Sequence, residues 1–191
     1  FKDIEGHWAA DFIRALAAKG LVVGYPDGRF GPNDKLTRAE YATLLRKVFN
    51  LTPQGQTKTF SDIRNEFWAY KDIQTAYQSG FLKGFPEGNF RPDDPAQRVQ
   101  VISALISGQK NLAPAPLDQL NHYQDRTQIP PWARSQVATA TANKMVANYP
   151  QPQQLRPTIP ATRAEAAVMI YQTLGKQSQM PEIKSPYLMK P

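Results

Sequence analysis

The chain has no cysteine among its 191 residues, which excludes disulfides, thiolate metal sites and cysteine nucleophiles at once. It has only two histidines, His7 and His122, and neither falls in a metal-ligand spacing. No apolar run approaches the length that spans a bilayer; the longest, Ala166–Tyr171, has the size of a core-helix fragment. There is no Gly-x-Ser-x-Gly elbow and no glycine loop of the P-loop or dinucleotide type. Charge of one sign is not concentrated either. Residues 1–50 carry eight basic against six acidic side chains, and residues 51–110 seven against six. The net charge of +7 therefore suits an acidic partner but lacks the basic stripe of a nucleic-acid binder, and no nucleic acid is expected. The chain opens on Phe1 rather than Met, so upstream sequence is expected to have been removed.

What is present is repetition. Phe1, Phe60 and Tyr123 each open a stretch with Asp3, Asp62 and Asp125 two residues later. Trp8-Ala9, Trp68-Ala69 and Trp132-Ala133 follow, then Gly24-Tyr25-Pro26, Gly84-Phe85-Pro86 and Asn148-Tyr149-Pro150. Arg38, Arg98 and Arg163 close the set, each six residues after a proline. The three tryptophans are the only ones in the chain, and all fall in one column. The chain is a triple repeat, with copies at 1–50, 60–110 and 120–175 and a loose tail over 176–191, forming together one integrated domain. Linkers are expected at 52–59 and 113–119.

Each copy reads as helix, loop, helix. Trp8, Phe12, Ile13 and Leu16 have helical spacing with Gly20 as the stop, and Tyr41, Leu44, Leu45 and Val48 line one face of the second helix. Tyr25-Pro26-Asp27-Gly28 has the form of a tight turn, and no real sheet is expected. Asp27, Asn33 and Asp34 do not have calcium-loop spacing, so turn chemistry accounts for them and no metal is expected.

Thr37-x-x-Glu40 and Thr162-x-x-Glu165 are capping boxes. The second copy offers Asp94-Pro95-Ala96-Gln97 for the same purpose. Capping does not explain the arginine beside each cap, where a cation opposes the helix dipole. Two accounts stay open: an internal salt bridge to Asp3, Asp62 or Asp125 or to the adjacent Glu, or an anion held by the guanidinium fork with the free helix N–H groups.

Phe-x-Asp-Ile followed by Trp-Ala, then Gly-Tyr-Pro-Asp-Gly-x-Phe-x-Pro and Thr-Arg-Ala-Glu, resembles the S-layer homology (SLH) module over roughly residues 1–175. The match is strong in the first copy, good in the second and weak in the loop of the third. The resemblance implies an all-α, pseudo-threefold assembly in which one helix per copy joins a central bundle, with grooves between copies. It further implies non-covalent anchoring in the cell envelope, at the wall or the periplasmic face of an outer membrane. The implied partner is an acidic, peptidoglycan-linked polysaccharide whose sugars often bear a pyruvate ketal, and the module is expected to be part of a larger surface or outer-membrane protein. No enzymatic activity and no cofactor are expected. The alternative is a protein-interaction scaffold.

The resemblance tips the arginines towards the ligand, with Arg38 leading, then Arg98, and Arg163 as the third. Trp8, Trp68 and Trp132 are read as core or groove floor, or as ring faces for a sugar. Asp3, Asp62 and Asp125 are read as caps or loop braces. Gly24 and Gly84 are read as sites of positive φ or close backbone approach, where N–H groups meet a sugar, and Glu40 completes the set. In the third copy Asn148 replaces the glycine and its loop loses Asp-Gly, so that groove is expected to be altered or inactive.

Overall fold

The computed structural model describes residues 1–191. Two α-helices per copy carry the fold: α1 (Ala10–Ala18) and α2 (Arg38–Val48), α3 (Tyr70–Gln78) and α4 (Arg98–Ser107), α5 (Arg134–Ala142) and α6 (Arg163–Lys176). Three 3-10 helices, Leu117–His122, Arg126–Gln128 and Pro131–Ala133, lead into α5, and the first of them takes up part of the expected second linker. No strand forms, only isolated β-bridges, so the chain is all-α.

The first helices begin later than their apolar spacing predicts. Trp8 and Trp68 each sit two residues ahead of the helix, in a turn closed by the Ala10 N–H on His7 and the Tyr70 N–H on Phe67. Trp132 occupies the 3-10 turn before α5. A side chain in that turn is free of the helix's buried face, which is why these rings need not join the core. Gly20 ends the first run in the left-handed conformation, φ +68°, that suits glycine beyond a helix C-terminus.

The second helices are capped as Thr-x-x-Glu predicts in copies 1 and 3. Thr37 accepts from the Glu40 N–H at 3.2 Å and Glu40 accepts from the Thr37 N–H at 2.8 Å, and Thr162 and Glu165 repeat this. In copy 2 the helix starts three residues later than the Asp94 box predicts, with Gln100 accepting from the Gln97 N–H. The backbone of residues 94–96 is already engaged: the Asp94 carbonyl accepts from the Arg38 N–H, and the Ala96 N–H donates to Leu36.

That engagement is part of a cycle. The Ala96 N–H donates to the Leu36 carbonyl (2.8 Å), Ala161 to Ala96 (2.8 Å) and Leu36 to Ala161 (3.1 Å), closing a ring of three bonds among three buried residues. The first two N–H groups of each second helix also donate to a neighbour: Arg38 and Ala39 to Asp94 and Pro92, Arg98 and Val99 to Ile159 and Pro157, Arg163 and Ala164 to Asp34 and Pro32. These are the orphan donors of a helix N-terminus, satisfied here by another copy. Side-chain packing follows the same order, with α2 on α3, α4 on α5, and α6 back on α1. A single apolar core runs from Ile4 to Met189 through all three copies. No copy closes a core by itself.

The segment after α6 is not a loose tail. Tyr171 donates its hydroxyl to the Pro181 carbonyl at 2.9 Å, Met180 and Met189 are buried, and Leu188 forms an antiparallel bridge with Ala147. Its apolar residues, Met180, Leu188 and Met189, have burial to gain by packing back on the domain.

Candidate functional site

The repeated Asp and Arg act on the same loop from two sides. Asp3 accepts from the Phe30 and Gly31 N–H groups, both at 2.8 Å; Asp62 does so for Phe90 and Arg91, and Asp125 for Leu155 and Arg156. They brace loops and do not cap the first helices. Gly31, Arg91 and Arg156 all have positive φ, so the two adjacent N–H groups converge on one carboxylate. The backbone bonds hold the Asp3 carboxyl below its ordinary range against the opposing effect of desolvation.

The arginine of each copy reaches into the loop of the next. Arg38 donates through Nε to the Phe90 carbonyl and through one Nη to Lys83, both at 2.8 Å. Arg98 gives the same pair of bonds to Leu155 (2.8 Å) and Ala147 (3.0 Å), and Arg163 to Phe30 (2.8 Å) and Val23 (3.0 Å). Neither account weighed for these residues covers this, because the acceptors are carbonyls of another copy. Each guanidinium latches two neighbouring copies together.

Beyond the latch, the three sites differ. Arg98 has no exposed surface, also donates to the Asn148 side chain, and lies 2.9 Å from the buried Glu165 in an ion pair angled away from a hydrogen bond. Burial disfavours the Glu165 charge, but Arg98, the Thr162 N–H and Arg156 outweigh it and hold the carboxyl below its usual range. The expectation that Arg98 offers its fork to a ligand is corrected: the fork is enclosed. Arg38 is 5% exposed, has no carboxylate within ion-pair distance, and lies over the Phe85 and Phe90 rings. Burial pulls its pKa down to about 10. Arg163, last in the expected order, is the most accessible of the three, lying half-buried over Tyr25 and Phe30.

The tryptophans divide in the same way. Trp68 is 63% exposed and Trp132 57%. Trp68 borders an apolar cavity of about 270 Å³ beside Leu21–Val23 and one side of α2, where Glu40, Lys47 and Arg163 supply the charge. Trp132 borders the corresponding cavity of copy 2, about 550 Å³, lined by Phe81–Pro86 and α4, where Gln100 and Ser103 stand for Glu40 and Thr43. Trp8 is half-buried. It stacks on Tyr149 at 5.3 Å and 2°, with Tyr187 of the C-terminal segment edge-on at 5.8 Å. The structure thus brings Arg163, Trp68 and Glu40 into one groove and Trp132 and Gly84 into a second, while in a third Trp8 stacks on Tyr149, the neighbour of Asn148.

Gly24 and Gly84 do not have positive φ. Close approach explains them: a Cβ on Gly24 would lie 2.3 Å from the Arg29 carbonyl and 2.5 Å from the Phe1 ring, and one on Gly84 2.5 Å from Phe60. The approach is to the chain's own ring and loop. No group of three or more His, Asp or Glu side chains is placed to hold a metal ion, and no helix is long and apolar enough to cross a membrane.

Three copies bound by a cyclic latch, with aromatic grooves between them, define a tandem-repeat module. Residues 1–42 and 59–102 match the S-layer homology domain, and the chain belongs to that family. Over 182 residues, 94% of this chain, it is 31% identical to the exoglucanase XynX of Acetivibrio thermocellus, covering 17% of that protein. It is also 36% identical over 125 residues, 62% of the chain, to the cellulosome-anchoring protein of Acetivibrio thermocellus, covering 27% of it. Over 108 residues, 56% of the chain, it is 37% identical to the S-layer protein of Bacillus licheniformis, covering 12% of it. The chain spans under a third of each relative, so the activities of the enzymes among them do not carry to it. The homologues that are surface-layer and anchoring proteins place this family at the cell surface.

Proposed function

We propose that the chain is a non-enzymatic anchoring module that binds an acidic, peptidoglycan-linked wall polysaccharide in the grooves of Trp68 and Trp132. The observation that carries this is the pair of uncovered indole rings, each beside an apolar cavity at a junction between copies. A ring face packs on the C–H surface of a sugar while its N–H donates to a hydroxyl. In the first groove Arg163 and Lys47 supply positive charge for a ring-borne carboxylate such as a pyruvate ketal, opposed by Glu40. Arg38 serves the second groove by holding the Lys83 carbonyl, and so the loop that carries Gly84, in place. Two weak grooves on one rigid body bind a polymer far more tightly than either alone. The copies at 1–50, 60–110 and 120–175 act as one unit because the latch residues of each lie in the next.

Purified peptidoglycan sacculi test this directly. The protein should pellet with intact sacculi and remain soluble with sacculi stripped of their polysaccharide by acid. Equal pelleting, or none with either, would sink the polysaccharide reading. The second reading, a protein-interaction scaffold, has one observation in its favour: the third groove holds peptide.

A further inference from the structure

The third groove is the only one of the three that contains something. The Asn148 N–H donates to the Tyr187 carbonyl and the Met189 N–H to the Val146 carbonyl, both at 2.9 Å, around the Ala147–Leu188 bridge. Tyr187 packs edge-on against Tyr149 (4.8 Å) and Trp8 (5.8 Å), and Met189 is buried beyond them. This is pairing of an extended segment with a backbone edge, with backbone bonds supplying affinity and side chains supplying selectivity.

Copies 1 and 2 carry the same edge without an occupant. The Gly24 N–H and Val22 carbonyl, and the Gly84 N–H and Leu82 carbonyl, occupy the positions of Asn148 and Val146 and have no protein partner. What distinguishes the third groove is the ring at its mouth. Tyr25 carries Arg29 and Arg163 on its face, and Phe85 carries Arg38 and Arg91, whereas Tyr149 lies flat on Trp8. Arg98 stacks on no ring; Asn148 and Glu165 hold it below the groove. The ring pair is therefore free to clamp an aromatic side chain.

We propose that the third groove is a peptide-binding site for an extended aromatic–aliphatic segment of the Tyr-Leu-Met type, and that residues 186–189 of this chain are its resident, exchangeable ligand. Met189 needs its N–H for the bond to Val146, Tyr187 fills the clamp, and Leu188 pairs with Ala147. Taken with the wall-binding reading, on which this consequence alone rests, the polymer has two grooves and the third is reserved for peptide.

Trp8 reports the site if Trp68→Phe and Trp132→Phe make it the sole tryptophan. In that background the full chain should show Trp8 shielded from iodide quenching, and a chain ending at Glu182 should show it quenched. A synthetic peptide of residues 183–191 should restore shielding saturably, and the same peptide with Tyr187→Ala should bind about 10-fold more weakly or worse. Equal quenching in the two chains, or no restoration by the peptide, overturns the proposal. Should the shortened chain not fold, Tyr187→Ala and Met189→Pro in the full chain decide: both should expose Trp8, and unchanged quenching in both overturns it. Neither readout involves the wall, so its failure is separable from failure of the anchoring reading.

Discussion

The first and third grooves share one skeleton and differ in what is left over once it is built. In both, an Asp braces two loop N–H groups and an Arg from the preceding copy in the cycle holds two loop carbonyls. In the first, the guanidinium has no carboxylate partner, lies on aromatic faces and borders an open cavity beside an exposed tryptophan. In the third, Glu165 and Asn148 enclose the guanidinium, and the tryptophan is covered by the chain's own C-terminal segment. A repeated residue in this fold is first a structural latch. Whether it also faces a ligand depends on residues that do not repeat.

The largest effect should come from breaking the third junction. Arg98→Ala removes two carbonyl bonds and leaves Glu165 as a buried carboxylate with only Arg156 and its cap for company, a loss of about 3–5 kcal/mol. Arg163→Ala takes the corresponding bonds from a half-buried site with no ion pair, and should cost no more than about 1–2 kcal/mol. Urea unfolding of the two variants checks the ordering. Equal costs would mean that the enclosure of Arg98 adds nothing.

The comparison also has a pH signature. The Glu165 carboxyl is held below its unfolded value of 4.5, so the stability it contributes is present above that value and lost as pH falls through the lower folded pKa. Gln at this position keeps a helix-start bond, as Gln100 does in copy 2, while removing the titration. The urea midpoint of wild type should therefore fall more steeply than that of Glu165→Gln between about pH 5 and pH 3. Parallel curves would place the acid sensitivity elsewhere.

The smallest effect sharpens the open side. Glu40 faces the first groove where Gln100 faces the second. Glu40→Gln should leave thermal stability within about 0.5 kcal/mol, because Gln100 shows that an amide can serve the helix start. By removing a like charge it should strengthen binding to acidic wall polymer by about 2- to 5-fold at low salt. Unchanged binding at low salt would put the anion outside this groove.

The helices, the loops and the three-copy count were legible because the columns that recur build the copies and join them: each Asp braces the loop of its own copy, and each Arg holds the loop of the next. The direction of each arginine was not legible. Its acceptors are carbonyls 45 to 140 residues away, and a carbonyl carries no residue identity. Helical spacing drew Trp8, Trp68 and Trp132 into the first helices, while the turn ahead of each helix leaves two of the rings in solvent. The start of α4 slipped from the Asp94 box to Gln97 because a neighbouring copy had taken that backbone. The C-terminal segment was missed since it has no counterpart in the other copies. Its Tyr187-Leu188-Met189 triplet, apolar within a polar tail, was the available signal.

The most direct test of the account compares tryptophans in the sacculus assay. Trp68→Ala with Trp132→Ala should abolish pelleting at an unchanged melting temperature, while Trp8→Ala, whose ring serves the third groove, should still pellet. Wild-type pelleting by the double variant, or loss of it by Trp8→Ala alone at matched stability, would contradict the assignment of wall binding to the two open grooves.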